Sequence, residues 1–135
     1  MTDAEACQGS TAFHILLVED NSLNRELLGD YLRHYGYEIL TLAQGSGFFL
    51  TIEQFQPNLV LLDLGLPDVD GYQLLEELQQ QPHLQQLPVI VISGFAFQEE
   101  QQRALKLGAR HYLVKPVSLT KLIKAIEAEA YTSSP

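Results

Sequence analysis

Five side chains in this 135-residue sequence could do chemistry together: Glu19, Asp20, Asp63, Ser93 and Lys115. Each follows an apolar run. FHILLV (13–18) precedes Glu19 and Asp20, LVLL (59–62) precedes Asp63, PVIVI (88–92) precedes Ser93, and HYLV (111–114) precedes Lys115. A lone acid in a loop is usually just solvated. Three acids brought to one rim repel, and each raises the others' pKa. Keeping them charged calls for a cation, and a few carboxylates with room for water suit Mg²⁺. Lys115 adds a second positive charge and Ser93 a rotatable donor. Carboxylate, divalent ion, ammonium and hydroxyl are the parts that hold a phosphoryl group in transfer, where positioning and countercharge supply most of the rate. Asp63, hemmed in at a strand end, is the candidate nucleophile.

Such convergence needs an architecture that collects strand ends on one edge. Hydrophobic periodicity supplies it. Strands are expected at 13–18, 37–43, 59–64, 88–94 and 111–115, and helices at 22–36, 45–57, 70–81, 98–109 and 118–131. Asn21 and Asp70 are expected to cap the first and third helices. Gly36 and Gly108 should stop the first and fourth, and Gly45 and Gly47 weaken the first turn of the second. The first helix carries Leu23, Leu27, Leu28, Tyr31 and Leu32 at helical spacing, the fifth Leu119, Leu122, Ile123 and Ile126. Strands 1, 3 and 4 are continuous apolar runs, as in a parallel sheet covered on both faces. The expected fold is α/β, a (βα)5 doubly wound five-stranded parallel sheet spanning 13–131, with polar tails at 1–12 and 132–135. In such sheets ligands bind at the carboxyl ends of the strands.

Composition narrows the function. Asp and Glu total 17 against 8 Lys and Arg, a net charge of −9. Such a chain does not attract phosphate backbones, and it has no basic stripe, so direct nucleic-acid binding is not expected. Cys7 is the single cysteine, with no disulfide partner and no metal-binding spacing. The first residues lack the basic and apolar regions of a signal peptide. No apolar stretch nears the ~18 residues of a spanning helix. A soluble cytoplasmic protein is expected.

With LLVEDN (16–21), DLGLPDVDG (63–71), VIVISG (89–94) and YLVKP (112–116), the chain resembles the CheY-like receiver domain of two-component response regulators over roughly residues 13–130. The resemblance implies a flavodoxin-like strand order of 2-1-3-4-5. It implies that Asp63 accepts phosphate from a histidine of a kinase or phosphotransfer protein, and that Glu19, Asp20, Asp63 and the Gly65 carbonyl hold Mg²⁺. Ser93 takes the switch-hydroxyl role, Lys115 contacts the phosphate, Tyr112 matches the switch aromatic, and the Lys115–Pro116 bond is cis. The domain would catalyse only its own phosphorylation and dephosphorylation. Positions Gly65 and Phe95, which in such receivers flank the route of water to the phosphate, offer no polar group here. That points to a long-lived acyl phosphate.

The first helix is expected to dock the donor through Asn24, Leu27, Leu28 and Tyr31, though some of these must pack on the sheet. The output surface is expected on helix 4, strand 5 and helix 5, switched through Ser93 and Tyr112 to a downstream protein or a phosphate-induced homodimer. Asp68 is expected to face solvent without a catalytic role. A calcium loop at 66–77 would begin on Leu66 and follow a strand, which does not suit it. A haloacid-dehalogenase-like phosphatase needs a second Asp where Gly65 stands, and FMN phosphate would be repelled by Glu19 and Asp20. His14, His34, His83 and His111 are scattered and read as core or surface residues. The alternatives are a pseudo-receiver that binds proteins without being phosphorylated, or the receiver portion of a hybrid histidine kinase. A stand-alone regulator fits best.

Overall fold

Buried parallel strands need both faces covered, and the alternation of side chains along each strand divides this core in two. A computed structural model describes residues 12–132. The expected tails at 1–12 and 132–135 fall almost wholly outside them, as does Cys7. The strands are β1 (His14–Val18), β2 (Glu38–Leu42), β3 (Leu59–Asp63), β4 (Val89–Ser93) and β5 (His111–Val114). The helices are α1 (Ser22–His34), α2 (Phe48–Phe55), α3 (Gly71–Gln80), α4 (Gln98–Lys106) and α5 (Leu119–Thr132). All pairings are parallel and the strand order is β2-β1-β3-β4-β5, as expected.

Leu16, Val18, Val60, Leu62, Val89 and Val91 face α2, α3 and α4 through Phe48, Ile52, Leu74, Leu75, Leu78 and Ala104. Ile15, Leu17, Leu59, Leu61, Ile90 and Ile92 face α1 and α5 through Leu28, Leu32, Leu122, Ile123, Ala125 and Ile126. Complete burial of an aliphatic side chain contributes roughly 1.5–3 kcal/mol before chain entropy is counted. The three inner strands therefore hold the sheet rigid beneath its carboxyl edge.

The element boundaries follow local chemistry. Asn21 caps α1 by accepting from the Asn24 N–H at 2.9 Å, and Asp70 caps α3 by accepting from the Tyr72 N–H at 3.0 Å. Helix α2 starts at Phe48, three residues later than the sequence suggests, because Gly47 lies in the left-handed region at φ 80. A 3-10 turn at Pro82–Leu84 was not anticipated. The apolar stripe of α1 is narrower than expected. Leu28 and Leu32 are buried, but Leu23 and Leu27 are 63% and 59% exposed. A helix packs one arc on a sheet, and Leu27 lies about 100° and Leu23 about 140° around the helix from Leu28. Leu119, on the expected stripe of α5, is 38% exposed.

Gly71 makes α3 fit. A Cβ there would lie 2.7 Å from Leu64 Cδ2 and 2.8 Å from Leu64 Cα. In an open helix, glycine to alanine gains up to about 1 kcal/mol. Here the obstacle includes backbone. Gly71→Ala is expected to destabilise the protein by about 1–3 kcal/mol, read as a lower urea midpoint at unchanged slope. A raised midpoint would mean that the Leu64 backbone yields freely.

Candidate functional site

Strands β1, β3 and β4 run side by side, so the residues that end them meet on one edge. Asp63 ends β3 and is 2% exposed. Ser93 ends β4 at 1%, and Glu19 directly follows β1 at 0%. Lys115 follows the edge strand β5, and its backbone N–H donates to the Ser93 carbonyl at 2.8 Å. The Lys115–Pro116 peptide is cis, as the resemblance implied. The chain thus brings Glu19, Asp63 and Lys115 into contact, with exposed Asp20 beside them and Ser93 on the adjoining strand.

Asp63 is fixed at both oxygens. Oδ1 accepts from the Gly65 N–H and Oδ2 from the Lys115 ammonium, each at 2.9 Å. Glu19 Oε2 accepts from the Asn21 N–H at 3.1 Å and from Lys115 Nζ at 3.3 Å. Glu19 Oε1 lies 3.1 Å from Nζ but outside hydrogen-bonding geometry. It is the single buried side-chain polar atom without a hydrogen bond among the described residues. Its charge faces the Lys115 ammonium, but it lacks the hydrogen bond that a buried carboxylate oxygen ordinarily makes, which leaves it able to take a ligand. Glu19, Asp20 and Asp63 each offer an oxygen, all within 4.8 Å of one another. That donor set suits a hard divalent cation.

The charges are unevenly distributed. Burial pushes the Glu19 carboxyl above its ordinary range, and the neighbouring Asp63 adds to this against the opposing Asn21 and Lys115 bonds. Burial would also lift Asp63, but the Gly65 amide and the Lys115 ammonium outweigh it and hold Asp63 below its ordinary range. Burial opposes the Lys115 charge, yet Asp63 and Glu19 prevail and raise its pKa.

Ser93 Oγ accepts from the Phe95 N–H at 3.0 Å, and the Tyr112 hydroxyl donates to the Phe95 carbonyl at 2.8 Å. The serine and the aromatic expected to act together are thus joined through the two polar backbone groups of one residue. Arg25 was not anticipated. Its Nη1 donates to the Glu19 carbonyl at 3.0 Å and the Asp20 carbonyl at 3.2 Å, bracing the acidic loop. A cation in the early turns of a helix opposes the macrodipole, and that is the one signal that could have found it. Asp68 is exposed, as expected, but it is not free: its carboxylate binds two amides of the β2–α2 loop.

A family model described as the response regulator receiver domain matches residues 15–127. The polar-differentiation response regulator DivK of Brucella anthropi is 31% identical over 114 residues, covering 84% of this chain and 93% of that protein. The response regulator receiver domain protein (CheY-like) of Methanospirillum hungatei superposes with a TM-score of 0.80 at 29% identity, covering 88% of this chain and 94% of that one. The signal receiver domain of a signal transduction histidine kinase from Syntrophus aciditrophicus gives 0.83 at 28% identity, covering 91% and 93%.

The opposite pKa shifts act oppositely on stability. Asp63, lowered, contributes stability above its unfolded pKa and loses it as pH falls through the folded value. Glu19, raised, contributes below 4.5 and loses that contribution as pH rises through its folded pKa. In chelator, the protein should therefore shed stability above pH 4.5 as Glu19 ionises. Glu19→Gln should remove that loss and raise the neutral-pH unfolding free energy by about 1 kcal/mol. Parallel urea titrations of both proteins across this range check the sign. A variant with the parental pH profile would mean that Glu19 does not carry the effect.

Proposed function

This chain belongs to the response regulator receiver domain family, and from that premise we propose that Asp63 accepts a phosphoryl group from a phosphohistidine of a partner kinase or phosphotransfer protein. The observation that carries this reading is the Asp63 carboxylate itself. It is buried at the end of β3, held ionised by Lys115 and Gly65, and set beside a Glu19 oxygen that makes no hydrogen bond. Glu19, Asp20, Asp63 and the Gly65 carbonyl would hold Mg²⁺. When bound, the ion supplies countercharge for the phosphoryl oxygens.

The protein's own residues do the rest. An Asp63 oxygen attacks phosphorus, the P–N bond breaks, and its electron pair returns to the donor imidazole. Lys115, already on Asp63, offers its ammonium to a phosphoryl oxygen. Ser93 keeps an O–H to donate to another, and charge-assisted bonds of this kind are worth about 1.5–3 kcal/mol. Any displacement of Ser93 pulls on the Phe95 amide, and through the Phe95 carbonyl on Tyr112. The surface of α4, β5 and α5 is then where a downstream protein, or a second copy, reads the state. The domain turns over its own phosphoryl group rather than an external substrate. The bare Gly65 and the half-exposed Phe95 offer no polar side chain to orient water, which favours slow hydrolysis.

The donor approaches over a groove of about 610 Å³ whose rim includes Glu19 and Lys115 and whose walls include Leu27, Leu28, Tyr31 and Val117. Leu28 packs inward, while Leu27 stands out from α1 and is free to touch a partner. Among the described residues no helix is long and apolar enough to cross a membrane.

Incubation with acetyl phosphate and Mg²⁺ should add one phosphoryl group by intact mass, and Asp63→Asn should abolish the addition. An unlabelled parent protein would leave the chain as an unphosphorylated interaction module. Leu27→Arg should slow transfer from the partner histidine by about tenfold or more, as loss of an interface anchor does, and leave labelling by acetyl phosphate unchanged. Equal loss with both donors would place the damage in the fold rather than in docking.

A further inference from the structure

The β3–α3 loop, residues 64–70, starts at the phosphoacceptor and is anchored at its far end by contacts that the chemistry above leaves unused. Asp68 reaches across to the β2–α2 loop. Its Oδ1 accepts from the Gly45 N–H at 2.9 Å and its Oδ2 from the Ser46 N–H at 2.8 Å. Successive amides of this kind make a seat for an anion, and bonds from backbone N–H to a carboxylate are among the stronger ones. The Gly45 amide first, opposed by slight burial and aided by Ser46, keeps the Asp68 carboxyl below its ordinary range.

The neighbouring residue repeats the attachment. The Val69 side chain fills the space where a Cβ on Gly45 would stand, so only glycine lets the two loops close. There is little slack between clamp and site. The Gly65 N–H is bonded to Asp63, Leu66 is buried, Pro67 has a fixed φ, and Asp70 caps α3.

We propose that Asp68 is a positioning residue for the phosphorylation site: by clamping the β3–α3 loop to the β2–α2 loop, it fixes the path of residues 64–67 and so the presentation of Gly65 and Asp63 to the metal and the incoming phosphoryl group. This rests on Asp63 being the phosphoacceptor. A clamp and a mere nearby charge differ in what they predict. Asp68→Ala and Asp68→Asn both remove the charge, but asparagine keeps one acceptor oxygen for one of the two amides. A through-space charge effect also fades in high salt, whereas lost positioning does not.

The test measures Mg²⁺ dissociation constants by amide shifts and labelling rates with acetyl phosphate, at low and high salt, alongside thermal unfolding. Asp68→Ala is expected to weaken Mg²⁺ binding and slow labelling several-fold to about tenfold, as loss of a residue that orients ligands does. Asp68→Asn should fall between it and the parent, and both effects should persist in high salt. Identical Asn and Ala variants whose defect vanishes in high salt would reduce Asp68 to a charge and overturn the proposal. A lowered melting temperature with parental Mg²⁺ affinity and labelling rate would overturn it too, leaving a purely structural tether. If the parent protein takes no label, the phosphoacceptor reading fails, and the Mg²⁺ isotherms still decide the clamp.

Discussion

Two carboxylates buried against one ammonium is the constraint on which this structure turns. Glu19 and Asp63 are almost sealed from solvent, and Lys115 is the cation that touches both. Unpaired charges in such a place cost several kcal/mol each, so the three groups must arrive together or not at all. They come from three separate strands. β1 and β3 have to be neighbours for the acids to meet, and β5 must end close enough for its lysine to reach back over β4. The parallel order β2-β1-β3-β4-β5 satisfies both demands.

The site gathers more carboxylates than ammonium groups. One ammonium cannot neutralise two buried carboxylates and exposed Asp20 as well, and one Glu19 oxygen is left without a hydrogen bond. The surrounding loops are braced rather than loose. Arg25 holds the carbonyls of residues 19 and 20, Asn21 both donates to Glu19 and caps α1, and Asp68 ties the β3–α3 loop to its neighbour. Rigid presentation of charge is what lets a site act without reorganising at the moment of reaction.

The strands and their end residues were legible in the sequence because both depend on local pattern. Continuous apolar runs mark a sheet buried on two faces, and a polar residue ending such a run has only one edge to occupy. Glu19, Asp63 and Lys115 meet as that logic requires, with Ser93 ending the adjoining strand. Arg25, Asp68 and Phe95 were not legible as they stand, because each acts through backbone groups of a loop whose course depends on the whole fold. Gly47 weakened the start of α2 visibly, but only its left-handed φ shows where the helix begins. Leu23 and Leu27 looked like core because the spacing of α1 fits two overlapping arcs, and the sheet accepts one of them.

The strand order also sets where the site is stiff and where it gives. β3 is flanked by β1 and β4 and all five of its residues are buried, whereas β5 is an edge strand of four half-buried residues. Local opening starts where few contacts resist it and reaches a central strand only when the whole domain unfolds. The Asp63 carboxylate therefore rides on a central, fully buried strand, and its counter-ammonium follows an edge strand. Fluctuations at the margin of the sheet can loosen the grip of the cation while the carboxylate stays in its place.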